Sequence, residues 1–424
     1  MISEEAIDKV VERLVNRIEE GNTYVLKKIG ESIKKAGTIN ANSAQELYQI
    51  IRYGGDYDKI VKKLAEITEL NVKDIYEIFD EVAKTENVYF KQFYDYRGKK
   101  FIPYSENIQL QNQVRALANL TASNYLNISR TMAFARRTPN GIIYTDLSKT
   151  YQDVIDKAIL SVSQGKTTFQ DEMYSTIKEL ASSGIRTVDY ASGRSMRLDS
   201  AVRMNIKAGL RDMRYETQKI YGEEFGYDGW EISVHPAPAP DHAEAQGRQF
   251  SIEEYDKLQN IGVAKDYNGK EVNMHLDLKT AEATRISFRP IRKYNCLHYE
   301  FPIILGVSEP EYTDKQLKEI IDDNNKKIEF DGKKYTKYEC TQLQRKLELE
   351  VRKQKDQQIM AKASYDTANP EERDKFIQLI GESQQKITQL TQKYKELSDV
   401  SGLPTKMQRL RVPQYKRVAK SKLK

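Results

Sequence analysis

Only 11 prolines and 21 glycines interrupt a chain of 424 residues, and this scarcity of breakers limits the fold more than any other feature. A chain so rarely stopped, and rich in Glu, Lys, Gln and Leu, favours long helices. Ile7, Val10, Val11, Leu14, Val15 and Ile18 form an i, i+3, i+4 stripe that predicts a first amphipathic helix. Asn71, with Asp74 three residues on, reads as the N-cap of a second, whose apolar face is Val72, Ile75, Ile78, Phe79 and Val82. More helix is expected from about Glu106 to Ala135 and from Leu147 to Ser183. After a turn at Gly184 another runs to about Tyr221, with Gly226 and Gly229 ending it.

The texture then changes. Trp230, Ile232 and Val234 alternate with Glu231 and Ser233, which predicts a half-buried strand. The loop His235-Pro-Ala-Pro-Ala-Pro240 excludes helix and central strand. Ser251 with Glu254 signals a short helix, Asn268-Gly269 a hairpin, and Ile286, Phe288, Ile291, Leu297, Tyr299 and Phe301 further strand. Thr313 with Gln316 starts another helix, and Asp331-Gly332 marks a second hairpin. Two long helices follow, the second opened by Asn369-Pro370, with Ile380, Ile387, Leu390, Tyr394 and Leu397 near heptad spacing. The expected fold class is α+β, mostly helical, with helical N-terminal and C-terminal regions flanking a small α+β core domain. Its expected parts are an N-terminal helical region (1–85), a helical domain (86–221), the α+β core (222–310), a helical hairpin region (311–402) and a basic tail (403–424).

Net charge is +6, from 68 basic and 62 acidic residues, too mild for a dedicated nucleic-acid binder. The excess gathers at Arg409, Arg411, Lys416, Arg417, Lys420, Lys422 and Lys424, with no acid among them. Such a tail is either a flexible, solvated end or a contact to double-stranded DNA, for which Lys416, Arg417 and Lys420 are the expected residues. Tyr89, Phe90, Phe93, Tyr94, Tyr96 and Phe101 crowd together with Lys91, Arg97, Lys99 and Lys100 between them. A core wedge or protein interface is the commoner use of such a stretch, single-stranded nucleic acid the rarer. Two cysteines, Cys296 and Cys340, imply no disulfide framework and suit a reducing cytoplasm. The acidic, amphipathic start is unlike a secretory signal, and the longest apolar stretch, Phe301 to Val307, is too short to span a bilayer. A soluble protein is expected.

All four histidines, His235, His242, His275 and His298, fall within the α+β core, and Cys296 sits two residues before His298. His235, His242, Cys296 and His298 could supply a tetrahedral zinc site, the one cofactor the chain suggests. The spacing is not that of a standard zinc finger, but Cys-x-His places both side chains on one face of a strand. The plainer expectation is a packed set that fixes the Pro-rich loop on the sheet. A rival is a Cys296 nucleophile with His242 as base and Asp241 or Glu244 nearby. No Gly-rich phosphate loop, His-Glu-x-x-His or Gly-x-Ser-x-Gly motif is present.

Several pieces recur in one order and spacing: Asp189-Tyr-Ala-Ser-Gly193-Arg194, Trp230-Glu-Ile-Ser-Val-His-Pro236, His242-Ala243, Gln246-Gly247-Arg248, Asn295-Cys296-x-His298 and Gly306. Together they resemble the phage minor capsid protein 2 family and, more distantly, Mu F-type head morphogenesis proteins. The family's Gly-Ala-Arg-Pro-x-His-Ala-x-Trp-Gln-Gly-Lys stretch is altered here, with Ala239 for the arginine and Ala245 for the tryptophan. The resemblance implies a virion component assembled in the host cytoplasm, portal-proximal and present in multiple copies. Its implied partners are portal protein, other capsid proteins and, through the tail, packaged DNA, with no membrane. The implied roles are head assembly and DNA packaging, retention or ejection, without catalysis. The alternative is a zinc- or cysteine-dependent hydrolase carried in the virion.

Overall fold

Gly37, Gly98, Gly184, Gly226, Gly262 and Gly402 stand where helices stop. The computed structural model describes residues 4–37, 56–138, 141–147, 149–150, 153, 169–189, 194–293, 296–367, 370 and 373–419. Helix α1 (Glu4–Gly37) buries Ile7, Val11, Leu14, Val15 and Ile18, the stripe expected of it. Helix α2 (Asp56–Arg97) buries Ile75, Ile78, Phe79 and Val82 but does not begin at Asn71. Asn71 lies inside it, fully buried, donating to Leu14 O at 3.4 Å and Tyr125 Oη at 3.1 Å. Its amide serves tertiary contacts, so no cap is needed and the helix continues. It also continues through residue 85, where a boundary was expected. Helices α1, α2 and α3 (Ile108–Arg130) share one apolar core, which Leu198, Val202, Ile206 and Leu210 join later in the chain. The aromatic stretch is part of that packing: Phe90 stacks on Tyr221 at 4.3 Å and Tyr94 is buried.

Helix α3 stops at Arg130, short of the expected Ala135. Strands β1 (Met132–Thr138) and β2 (Gly141–Asp146) follow as a hairpin, in which Phe134 faces Thr145 and Arg136 faces Ile143. The β-branched run Ile142, Ile143 and Thr145 suits a pleated surface and prevails over the helical pattern. Helix α4 (Phe169–Ser183), β3 (Arg186–Asp189) and β4 (Arg194–Arg197) complete an antiparallel sheet ordered β2-β1-β3-β4. Of the helix expected from 147 to 183, the stretch 154–168 lies outside the described residues. Helix α5 (Leu198–Phe225) ends at Gly226, whose φ of 71° forms a left-handed cap. Gly229 instead opens the next strand.

The α+β unit is built on β5 (Gly229–Ile232), which lies between β6 (Gln249–Ser251) and a final strand, β9. All four β5 residues are buried, not half of them as alternation predicts. Glu231 is covered because it accepts from Gln249 Nε2 at 2.8 Å and Glu311 N at 3.1 Å. Helix α6 (Ile252–Ile261) is capped by Ser251 as expected, and β7 (Val263–Lys265) and β8 (Glu271–Asn273) form the Asn-Gly hairpin. Helix α7 (Leu278–Thr284) precedes β9 (Glu300–Ile303). The strand expected at 286–291 amounts to one bridge, Phe288 to His275.

Helix α8 (Asp314–Asn325) carries the Thr313–Gln316 capping box, and β10 (Ile328–Phe330) and β11 (Lys333–Tyr335) form the second hairpin. Helices α9 (Lys337–Thr367) and α10 (Arg373–Ser401) pack antiparallel, Gln344 bonding Ser398 at 2.8 Å and Gln357 bonding Ser383 at 3.0 Å. The chain is thus α+β and mostly helical, as expected. Met360 and Ala361 of α9 join the first core, so the hairpin is fastened to the helical body.

That fastening includes charge. Arg197, at the end of β4, bonds Asp199 at 3.2 Å and Asp356 of α9 at 3.1 Å, and Arg352 also pairs with Asp199. Glu19 of α1 lies 3.6 Å from Arg197 and 3.7 Å from Arg352, too far to accept a hydrogen bond from either. Arg197, Arg352, Glu19, Asp199 and Asp356 are all buried.

The segment after α10 was expected to be a flexible tail, and 403–419 is instead a strap. Leu403, Leu410 and Val412 are buried against the helices. Lys406 pairs with Asp8 at 2.9 Å, Lys355 donates to Leu410 O at 2.6 Å, and Gln358 donates to Lys416 O at 2.9 Å. Apolar residues spaced among the basic ones hold it down.

Candidate functional site

The Pro-rich loop leaves β5 and must return to β6, and the folding of that return builds the site. Pro240–His242 form a single 3-10 turn that aims His242 inward. Gly247 closes the loop, donating to Ile232 O at 2.7 Å with a φ of 70°. A Cβ there would strain the backbone and collide with Leu317, so glycine is required on both counts. On the opposite side, Cys296 and His298 lie on the approach to β9. Their shared facing, expected from the Cys-x-His spacing, is realised: Cys296 Sγ stands 3.3 Å from His298 Nδ1.

His242 Nδ1 stands 3.4 Å from the same sulfur, so His242, Cys296 and His298 meet. Their ligand atoms all lie within 4.8 Å of one another. His235, the fourth expected member, is placed differently: its ring packs on that of His298 with centroids 4.2 Å apart, and its Nδ1 lies 3.0 Å from Pro236 O. His275 belongs elsewhere, beside Phe288 and 2.9 Å from Ile261 O. The cluster opens on a cavity of about 110 Å³, lined also by Arg289, Tyr338 and Arg345. The latter two come from α9, and no local spacing in the sequence marks them or Arg289.

Burial governs the chemistry. It pushes the Cys296 thiol up to about 11 and lowers the imidazolium of both His242 and His298, the latter further because His235 and His242 are near. Asp241 is placed as the rival scheme needs, 3.6 Å from His242 Nε2. It is, however, engaged with Arg289, through a 2.8 Å bond from Nε and a second from the guanidinium, while Glu244 is exposed to solvent. A thiol this buried and this hard to ionise is a poor nucleophile. What the group does well is crosslink the Pro-rich loop to the sheet.

The other expected residues lie apart from the cluster. Asp189 and Arg194 pair in register across β3 and β4, on a different sheet, and Gly193 lies outside the described residues. Asn295 is likewise outside them. Trp230 is buried in the α+β core, stacked on Tyr215 at 5.1 Å, and Ala245, at the position of the family's tryptophan, is fully buried beside it. Gln246 holds the cluster from behind, its Oε1 3.3 Å from His298 Nε2. Lys416 and Arg417 are exposed on the strap, and Lys420 lies outside the described residues. Cys340 is buried and unpaired, as is Cys296. No described helix is long and apolar enough to cross a membrane.

No curated protein and no solved structure matches the chain. A family model does, over residues 2–399, and it is that of phage minor capsid protein 2. The chain therefore belongs to the phage minor capsid protein 2 family, a structural component of the virion that associates with other capsid components.

Proposed function

We propose that this minor capsid protein sits next to the portal and aids head assembly and DNA packaging, retention or ejection as a structural element rather than as an enzyme. The observation that carries this reading is the strap. It anchors an acid-free basic end on a helical body and leaves Lys416 and Arg417 exposed, a geometry suited to phosphates on passing double-stranded DNA. The bonds that tie Asp241 to Arg289, and the exposure of Glu244, support a scaffold over a cysteine hydrolase.

Deleting everything after residue 402 is a poor test, because it also removes Leu403, Leu410 and Val412 from the helices. Removing charge alone is cleaner. In the full chain, Lys416→Ala, Arg417→Ala and Lys420→Ala combined are expected to weaken duplex DNA binding at low salt. The slope of log K against log salt should fall by about 3. An unchanged slope would remove DNA from the proposal. Crosslinking of intact particles is expected to join the chain to portal subunits, and links confined to the outer shell would remove the portal.

A further inference from the structure

The hydrogen bonds of the His/Cys cluster do not balance. His242 Nε2 lies 2.6 Å from the carbonyl of Arg289, which can only accept, so Nε2 carries that ring's proton. His298 Nε2 lies 3.3 Å from Gln246 Oε1, which also accepts from His235 N at 3.4 Å. The amide orientation in which Oε1 accepts from His235 N puts the proton of His298 on Nε2 as well. Both rings therefore turn an unprotonated Nδ1 toward Cys296 Sγ, at 3.4 and 3.3 Å. A thiol has one proton and can satisfy one of them. The second lone pair is left buried without a donor, which is unfavourable.

We propose that the absent partner is a divalent ion of zinc's class, bound by His242 Nδ1, Cys296 Sγ and His298 Nδ1. One cation satisfies both lone pairs and the sulfur together. With Zn–S of about 2.3 Å and Zn–N of about 2.05 Å, a tetrahedral angle separates sulfur from nitrogen by about 3.6 Å. The two sulfur–nitrogen separations, 3.4 and 3.3 Å, are within a few tenths of an ångström of this, and all three ligand atoms lie within 4.8 Å of one another. Sulfur with two imidazoles is a donor set for zinc rather than for calcium or magnesium. A backbone carbonyl and an amide oxygen behind the rings are the kind of partners that orient metal-bound histidines. The fourth position opens on the cavity of about 110 Å³ that His235 also lines, which offers a water or the His235 ring. On binding, the thiol proton leaves to solvent and sulfur coordinates as thiolate.

The test uses the full chain stripped of metal and titrated with cobalt(II), then with zinc. The expected result is one cobalt per chain, with a thiolate-to-metal charge-transfer absorption that zinc abolishes. Cys296→Ser should lose the absorption while keeping its helical circular dichroism. Gln246→Leu, which touches no ligand atom, should bind about 10–100-fold more weakly. Should Cys296→Ser fail to fold, the wild-type titration and Gln246→Leu still decide. A folded wild-type chain that takes up neither ion overturns the proposal, as does an absorption that persists in Cys296→Ser or an unchanged affinity in Gln246→Leu. None of these outcomes depends on where the protein sits in the particle.

Discussion

Arg197→Leu is expected to destabilise the helical body by about 3–5 kcal/mol, the usual cost of removing one partner from a buried charge group. Arg197 bonds Asp199 and Asp356, which come from α5 and α9, and its loss would leave those carboxylates with Arg352 and, at Asp199, with Arg203. Denaturant unfolding followed by helical circular dichroism measures this, and a loss under about 1 kcal/mol would show that the network adds little. The same group sets a pH dependence. Three carboxyls, Glu19, Asp199 and Asp356, share these guanidiniums, and burial raises both Glu19 and Asp356. Burial, with Asp199 beside it, pushes Glu19 up to about 8. Burial acts on Asp199 too, but Arg352 and Arg197 hold it well below the usual range.

The two carboxyls act on stability in opposite directions. The unfolded chain releases the Glu19 proton near pH 4.5, whereas the folded chain holds it until about 8, so this contribution is lost as pH rises through that window. The contribution of Asp199 is present at neutral pH and is lost as pH falls below 3.8. Glu19→Gln should therefore match the wild type near pH 5 and be more stable at pH 8.5, a gap of zero at both pH values being the contrary result.

Trp230→Ala is expected to cost about 3–5 kcal/mol within the α+β unit. Trp230 is 1% exposed and stands between Tyr215 at 5.1 Å, Tyr227 at 5.0 Å and Tyr255 at 5.9 Å. Its removal leaves a void in a core separate from that of the helical body. Amide exchange should rise across 229–303 while α1 and α2 keep their protection, and Trp230→Phe should recover most of the loss. Equal loss of protection in both regions would mean that they unfold as one.

Local signals were legible wherever the residues that decide a conformation are neighbours. The stripe of α1, the caps at Ser251 and Thr313 and the hairpins at Asn268-Gly269 and Asp331-Gly332 depend on a few adjacent side chains. Misreadings arose where distant partners decide. Asn71 has the chemistry of a cap but spends it on α1 and Tyr125, and Glu231 has the chemistry of a surface residue but is covered by Gln249 and the chain at Glu311. The same division holds at the site. Rarity and the Cys-x-His spacing pointed to His242, Cys296 and His298, which do meet, and also to His235, which stacks beside them. Arg211, Arg289 and Arg345 complete the surroundings from elements that sequence spacing cannot bring together.

The strap also determines when the molecule can be finished. Helix α1 is made long before the strap, yet its Asn22 bonds Asp356, and its Asp8, paired with Lys207, takes Lys406 as a second partner. Before α9 and the strap are made, α1 can settle on α2, α4 and α5, where Lys207 and Arg203 of α5 already pair with its Asp8 and Glu12. Contacts so distant along the chain close slowly, because the whole intervening loop must first be ordered. The strap is thus a late latch on α1, and a nascent chain short of it is an unfinished subunit. Assembly that recognised the latched body would admit only chains translated past residue 406.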